Sequence, residues 1–282
     1  MRPNGNTVRE LLTWARGALA QRPAGGLEAE LLLGHALGVG RAWLYANSGE
    51  SPGEGHLETF CSLVQRRQAG EPIAYLTGTR EFWSLPLMVT PDVLIPRPET
   101  ELLVETALEL LPENKKCRVA DLGTGSGAVA LAIASERPAW DVQATDISPG
   151  ALEVAKGNAK TLLPDRVTFH LGSWFEPLQG KFLLVVSNPP YVARSDPHLD
   201  SGDCRHEPHT ALTAGLDGMA AIKQIVAGAA GYLEQGGWLA FEHGLEQGQA
   251  SRAKLKELGF DRVETRKDLE GRDRVTLGCM QN

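Results

Sequence analysis

Beyond Lys115-Lys116 the chain alternates short apolar runs with helical stretches to its end, and that alternation admits few folds. Seven segments read as strands: Arg118 to Leu122, Val142 to Asp146, Val167 to Leu171, Phe182 to Ser187, Trp238 to Glu242, Arg262 to Thr265 and Val275 to Cys279. Helical patterns stand between them at Ala128 to Ser135, Pro149 to Lys160, Ala220 to Leu233 and Gln249 to Leu258. A strand buried on both faces is continuously apolar, as Phe182 to Val186 is. The expected architecture is α/β, a doubly wound, mostly parallel seven-stranded sheet with helices on both faces.

The first part of the chain follows a different rule. Thr7-Val8-Arg9-Glu10 has capping-box spacing, and Val8, Leu11, Leu12, Ala15, Ala18 and Leu19 repeat at helical intervals after it. A second helix is expected over Leu27 to Leu37, closed by Gly38, and a short third over Arg41 to Ala46. Ser51-Pro52 reads as the cap and first position of a fourth, with Leu57, Phe60, Cys61 and Val64 on one face. Residues 1–72 therefore form a small helical bundle. From Glu71 the runs shorten to Tyr75-Leu76, a Gly78 turn, Phe82-Trp83, then Leu85, Leu87 and Val89, which predicts a β-hairpin linker over residues 73–97 ahead of a domain at 98–282. Within Val93 to Glu101 the prolines hold the chain extended until Glu99 or Thr100 starts a helix. Arg97 and Glu99 read either as a solvated pair beside that helix or as site residues.

Two loops of the sheet region carry chemistry. Asp121-Leu122-Gly123-Thr124-Gly125-Ser126-Gly127 joins the first strand to the first helix, where glycines let backbone turn sharply and approach a ligand. Its spacing lacks a P-loop lysine, and Ala128 occupies the slot of a dinucleotide fingerprint's third glycine. Asp146 ends the second strand about 20 residues on, where a carboxylate can receive ribose hydroxyls; it could equally cap the following helix. An adenosine-bearing cofactor is the better reading of the two together.

The second loop is Asn188-Pro189-Pro190-Tyr191, at the end of the Phe182 to Ser187 run. It can be a plain turn, but it is also rich in acceptors and offers an aromatic face. The Asn188 side-chain oxygen and the Pro189 carbonyl could hold both hydrogens of a planar NH2 group, whose delocalised lone pair makes it a poor nucleophile. A hydride transfer has no use for such a grip. A methyl transfer from a sulfonium donor does, since it needs chiefly alignment. No dedicated base is required, and none of the seven histidines is used.

Composition narrows the alternatives. No apolar run reaches the roughly 18 residues of a membrane span, and the N-terminus opens no secretory signal, so a cytoplasmic protein is expected. The four cysteines are scattered without a C-x-x-C pair. A net charge of -7 argues against bare nucleic acid as the main partner. His206 and His209 lack a third ligand at suitable spacing, so no metal is expected.

These motifs in combination resemble the release-factor glutamine methyltransferases of the HemK family, over Pro72-Ile73-Ala74-Tyr75-Leu76, Val93 to Glu101, Asp121 to Gly127, Asp146-Ile147-Ser148, Ser187 to Tyr191, Glu207-Pro208 with Ala211-Leu212, and Glu242-His243-Gly244. The N-terminal helices match in type only. The resemblance implies S-adenosyl-L-methionine as cofactor and, as protein substrate, the Gly-Gly-Gln glutamine of bacterial class I peptide-chain release factors. Gly123, Thr124, Gly125, Ser126 and Gly127 would hold the methionine and ribose part, Asp146 the ribose hydroxyls, and Trp174 would lie near the adenine. Asn188 would touch donor and substrate, with Pro189, Pro190 and Tyr191 lining the glutamine slot. A monomer, with no stable nucleic-acid partner and no membrane, goes with that reading. The alternative is a nucleic-acid adenine amino-methyltransferase, with Tyr191 stacked on a flipped base. Three further expectations are a mobile loop over the site at Val192 to Thr213, structural or at most cofactor-adjacent roles for Glu242 and His243, and an unusual hairpin turn where Phe82-Trp83-Ser84 replaces the family's Phe-x-Gly.

Overall fold

The computed structural model describes residue 3 and residues 5–281, and divides into two compact units, one ending at Thr79 and the other starting at Arg80. The first unit is helical. Helix α1, Val8–Ala18, begins with the full capping box: Glu10 N–H donates to Thr7 Oγ1 at 3.4 Å, and Thr7 N–H donates to Glu10 Oε2 at 3.0 Å. Helix α2, Gly25–Leu37, ends on Gly38 in the left-handed conformation, and α3 covers Arg41–Ala46. Helix α4, Glu54–Gln68, starts later than Ser51-Pro52 suggests. The Ser51 hydroxyl donates to Asn6 Oδ1 at 3.3 Å instead of capping, and Gly53 takes the cap position. Val8, Leu11, Leu32, Leu33, Phe60 and Val64 form the core.

The pair Tyr75-Leu76 is helical rather than part of a hairpin. It sits in α5, Ile73–Thr77, which Pro72 precedes and left-handed Gly78 ends, the proline-before, glycine-after bracket of a short helix. The hairpin itself is β1, Thr79–Phe82, and β2, Leu85–Met88. Its turn places Trp83 at φ 52° and Ser84 at φ 58°, the two left-handed residues of a type I′ connection. Side chains hold this costly conformation: Trp83 N–H donates to Glu101 Oε1 at 2.9 Å and its indole Nε1 to Glu136 Oε1 at 2.8 Å.

The remaining elements are α6 (Glu101–Leu110), β3 (Arg118–Leu122), α7 (Ala128–Glu136), β4 (Asp141–Asp146), α8 (Pro149–Leu162), β5 (Val167–Leu171), β6 (Phe182–Ser187), α9 (His209–Leu212), α10 (Ala220–Tyr232), β7 (Leu233–Glu242), α11 (Gly248–Glu257), β8 (Phe260–Lys267) and β9 (Asp273–Met280). The sheet is seven-stranded, in the order β5-β4-β3-β6-β7-β9-β8. The pairings from β5 to β7 are parallel, and those of β9 with β7 and β8 antiparallel. Helices cover both faces, as the strand alternation requires: Leu184 and Val186 of β6 join one core and Val185 the other. Strand order reverses between β3 and β6, so the loops leaving these two strands diverge and open a crevice. Asn158 of α8 ties the hairpin to the loop after β3, since its side chain bonds the N–H and C=O of Met88 and the carbonyl of Ser126. Among the described residues no helix is long and apolar enough to cross a membrane.

Replacing Ser84 by Gly should raise stability by up to about 1 kcal/mol, because relief of left-handed strain of about 1–2 kcal/mol exceeds glycine's entropic cost of roughly 0.5–1 kcal/mol. Chemical denaturation of the two proteins side by side reads the difference; a lower midpoint for the glycine variant would show that the turn is unstrained.

Candidate active site

The crevice at the ends of β3 and β6 contains a cavity of about 310 Å³. One wall is the loop after β3. Gly123, Gly125 and Gly127 have φ of 73°, 57° and 84°, all in the region that L side chains rarely adopt. Each has a separate reason. A Cβ on Gly123 would come within 3.2 Å of the Trp174 ring, and one on Gly127 within 3.3 Å of Ala155 and Leu131. Gly125 has no atom within 4 Å on that side, because the side faces the cavity. The N–H groups of Gly123 and Thr124 both donate to Thr145 O at 2.9 Å, which anchors the loop to the end of β4.

Asp146 faces the same cavity and accepts from Gly125 N–H at 2.8 Å and Ser148 N–H at 2.9 Å. The capping role falls to Ser148, whose hydroxyl accepts from Ala151 N–H at 3.2 Å, so Asp146 is not needed to start α8. Burial pushes the Asp146 carboxyl up, against three backbone N–H donors. Asp121, under the glycine loop, is a site residue missing from the sequence assignment. Burial drives its carboxyl up to about 7, opposed by the Thr124 hydroxyl, which donates to Oδ2 at 2.6 Å.

Trp174 stands over Gly123 and lines the cavity. Its indole Nε1 donates to Gln224 Oε1 at 2.8 Å, which fixes the ring. Ile147, 69% exposed, lines the cavity as well. The signal available in the sequence is an isoleucine in the loop directly after a strand-end aspartate.

Asn188 and Pro190 line the same cavity as the glycine loop, whereas Gly127, Pro189 and Tyr191 are not among its lining residues. Leu122 and Ser187 are register partners of β3 and β6, and the Ser187 hydroxyl donates to Leu122 O at 2.7 Å. The two motifs therefore start from one rung of the sheet. Asn188 Nδ2 donates to the buried Thr100 Oγ1 at 3.0 Å, which leaves its Oδ1 as an acceptor. Tyr191 turns its hydroxyl away and donates to Glu242 Oε1 at 3.0 Å. His243 has partners at both ring nitrogens, Gly244 O and Thr276 Oγ1, each at 2.8 Å, and burial lowers its pKa.

The segment after Tyr191 is tied down rather than free. Val192 N–H donates to Leu212 O, and Ala214 N–H to Val192 O. Glu207 accepts from Ile95 N–H at 3.1 Å and pairs with Arg97 at 2.5 Å. Arg97 is thus the partner of a fully buried carboxylate and not of Glu99, a pairing 110 residues apart that local spacing does not reveal. Pro208, Thr210 and Ala211 of this segment complete the cavity wall.

Because the folded state holds the Asp121 proton up to about pH 7 while an unfolded aspartate loses it near 3.8, this group subtracts stability as pH rises through that window, by up to roughly 1.4 kcal/mol per unit. Asp121→Asn should flatten the fall in stability between pH 5 and pH 8 by about 2 kcal/mol. Denaturant midpoints at the two pH values test it; an unchanged slope would mean that Asp121 is ionised throughout.

Residues 10–78 match the PrmC N-terminal domain model and residues 98–202 the methyltransferase small domain model. The chain is 51% identical over 253 residues to the release factor glutamine methyltransferase of Xylella fastidiosa strain 9a5c, covering 89% of this chain and 92% of that protein. It is 46% identical over 269 residues to that of Escherichia coli K12, covering 94% and 97%. Among solved structures, a Pyrococcus furiosus methyltransferase superposes with TM-score 0.55 at 16% identity, covering 79% of this chain and 98% of that one. The T. thermophilus 16S rRNA N2 G1207 methyltransferase, solved with AdoMet and guanosine, superposes with TM-score 0.55 at 20% identity, covering 72% and 50%. These two share the fold. With identity near one half across both units, and with the glycine turn and Asn188 facing one cavity, the chain belongs to the release factor glutamine methyltransferase family, whose members depend on S-adenosylmethionine.

Proposed function

We propose that this enzyme methylates the side-chain amide nitrogen of the Gly-Gly-Gln glutamine in bacterial class I release factors. The observation that carries the reading is the acceptor of Asn188: with one Nδ2 hydrogen given to Thr100, Oδ1 has no partner among the described residues and can accept from an N–H group. The cavity fits S-adenosylmethionine. Its wall is open at Gly125, where any side chain would intrude, and Asp146 offers carboxylate oxygens to hydroxyl donors. On this reading Gly123, Thr124, Gly125 and Ser126 hold the methionine and ribose portion, and Gly127, packed on Ala155 and Leu131, closes their turn. Asp146 takes the ribose hydroxyls, and Trp174 lies near the adenine with Ile147. When bound, S-adenosylmethionine supplies an electrophilic methyl on a sulfonium centre. Asn188 Oδ1 would accept from the substrate NH2 group, aim its nitrogen and carry the positive charge that grows on it, with the donor leaving as a neutral thioether and the methylated nitrogen giving up a proton to solvent. Pro190 shapes the slot, and Tyr191 supports it from behind through Glu242.

The same reading assigns residues 1–72 to docking of the release factor, 73–97 to a linker and 98–282 to catalysis. It takes the enzyme as a cytoplasmic monomer without a stable nucleic-acid partner. The names of its relatives and its net charge of -7 both favour a protein substrate over adenine in DNA or RNA. Incubated with release factor and labelled donor, the protein should add one methyl group to the Gly-Gly-Gln peptide, read by mass spectrometry. Asn188→Ala should lower kcat by about 10²–10³, the usual cost of one transition-state hydrogen-bond partner. Label entering nucleic acid and not release factor would overturn the assignment.

A further inference from the structure

A folded protein substrate brings its glutamine with a surface around it, so the slot at the tip of β6 is also the centre of an interface. An ordinary protein–protein contact covers about 800 Å² of each partner, a disc of roughly 16 Å radius. Strands β7, β9 and β8 follow β6 in the sheet, at roughly 4.8 Å per strand. The end of β7 at Glu242 and the β8–β9 turn between Lys267 and Asp273 therefore lie within about 15 Å of β6, along the same edge of the sheet. The loops on this edge fall inside the footprint of whatever protein fills the slot.

We infer that Leu269 and Leu216, with Leu245, form a docking surface by which the catalytic unit receives the release factor. Leu269 is fully exposed and Leu216 is 86% exposed, more than any other large apolar side chain among the described residues; Leu245 is half exposed. Leu269 is the second residue of the turn closed by Gly271 N–H to Asp268 O at 2.9 Å, a place where turn geometry asks for no apolar side chain. Asp268 makes that turn rigid. Its Oδ1 accepts from the N–H groups of Glu270 and Arg272 at 3.0 and 2.9 Å, and its Oδ2 from Arg272 Nε and Arg274 Nε at 3.1 and 3.0 Å. Leu216 and Leu245 stand on two loops that Gln247 clasps to Tyr191. Gly244 N–H donates to Gln247 Oε1 at 2.9 Å, and Gln247 Nε2 donates to Tyr191 O at 3.0 Å and Asp217 O at 3.4 Å. Charges beside the leucines are already paired, Glu270 with Arg272 and Asp217 with Lys223. What the edge offers a partner is therefore apolar area on loops that need little ordering, which is where burial converts well into affinity. The surface it fits is apolar ground within about 16 Å of the target glutamine.

The inference rests on the release-factor reading and adds to it a contact outside the helical unit. Its test is steady-state methylation of intact release factor by the full chain. Leu269→Ser and Leu216→Ser should each raise the KM for release factor by about 10-fold, and the double variant by about 100-fold, since separate contacts add. The kcat and the KM for S-adenosylmethionine should stay at the wild-type values, because neither leucine lines the cavity. Leu269→Met, which keeps the apolar volume, should behave as wild type. Side chains this exposed contribute little to folding, so the thermal midpoints should not move.

Isothermal titration of enzyme with release factor, in the absence of turnover, should show the same weakening as the KM values. An unmoved KM and Kd in the double variant, or a loss confined to kcat, would overturn the proposal. So would sedimentation of the wild type as a dimer that the two serines dissociate while the KM for release factor stays put, for the leucines would then belong to a contact between copies of this chain. The two levels separate cleanly. If wild type methylates release factor and the double variant does so with an unchanged KM, the docking surface alone falls; if wild type leaves release factor unmethylated, the substrate reading falls and the docking surface with it.

Discussion

The pairing of β6 alongside β3, with the sheet turning back on itself there, is the constraint on which the site depends. Both strands end on one rung, Leu122 with Ser187, and from that rung one chain leaves as a left-handed glycine turn and the other as Asn-Pro-Pro-Tyr. Neither loop is a site alone. A glycine turn offers backbone amides and open space, and an asparagine followed by prolines offers acceptors without competing backbone donors. Because their strands are hydrogen-bonded neighbours, the separation of the two loops is set by the sheet and not by flexible side chains.

Around this junction the protein buries three carboxyl groups and treats each differently. Asp121 lies fully buried under the glycine loop with a threonine hydroxyl as its donor, and burial drives it up to about 7. Glu207 has Arg97 and a backbone N–H, and the charge pair staples the segment following Tyr191 to the stretch that precedes α6. Glu242 accepts from Tyr191 at Oε1, Oε2 has no partner among the described residues, and burial pushes its carboxyl up. Burying a carboxylate without full compensation is costly, so such groups persist where they order something. Here Glu207 orders a cavity wall and Glu242 holds the Tyr191 hydroxyl. Both sit in short motifs that the resemblance singled out while their partners remained unknown.

The hairpin illustrates the same dependence on partners at a smaller scale. With no glycine in the turn, Trp83 and Ser84 both carry positive φ, and two glutamates from separate helices hold the tryptophan. Asn158 then fastens the outer strand to α8 and to the carbonyl of Ser126. The hairpin thereby becomes part of the scaffold behind the glycine loop.

Much of this was legible in the residues. Strand and helix alternation, the capping box at Thr7, the left-handed glycines and the proline-terminated β6 all arise from interactions within a few positions, and local chemistry of that kind is written in spacing. The start of α4 and the helix at Tyr75-Leu76 escaped such a reading. A serine, or a short apolar run, has more than one local solution, and the choice rests on a distant partner such as Asn6 or on the brackets at Pro72 and Gly78. For the same reason the motifs named the chemistry of Asn188, while the Thr100 hydroxyl that its Nδ2 bonds lies 88 residues away in the chain. A hydrogen bond belongs to both groups that share it, and folding is what brings those groups together.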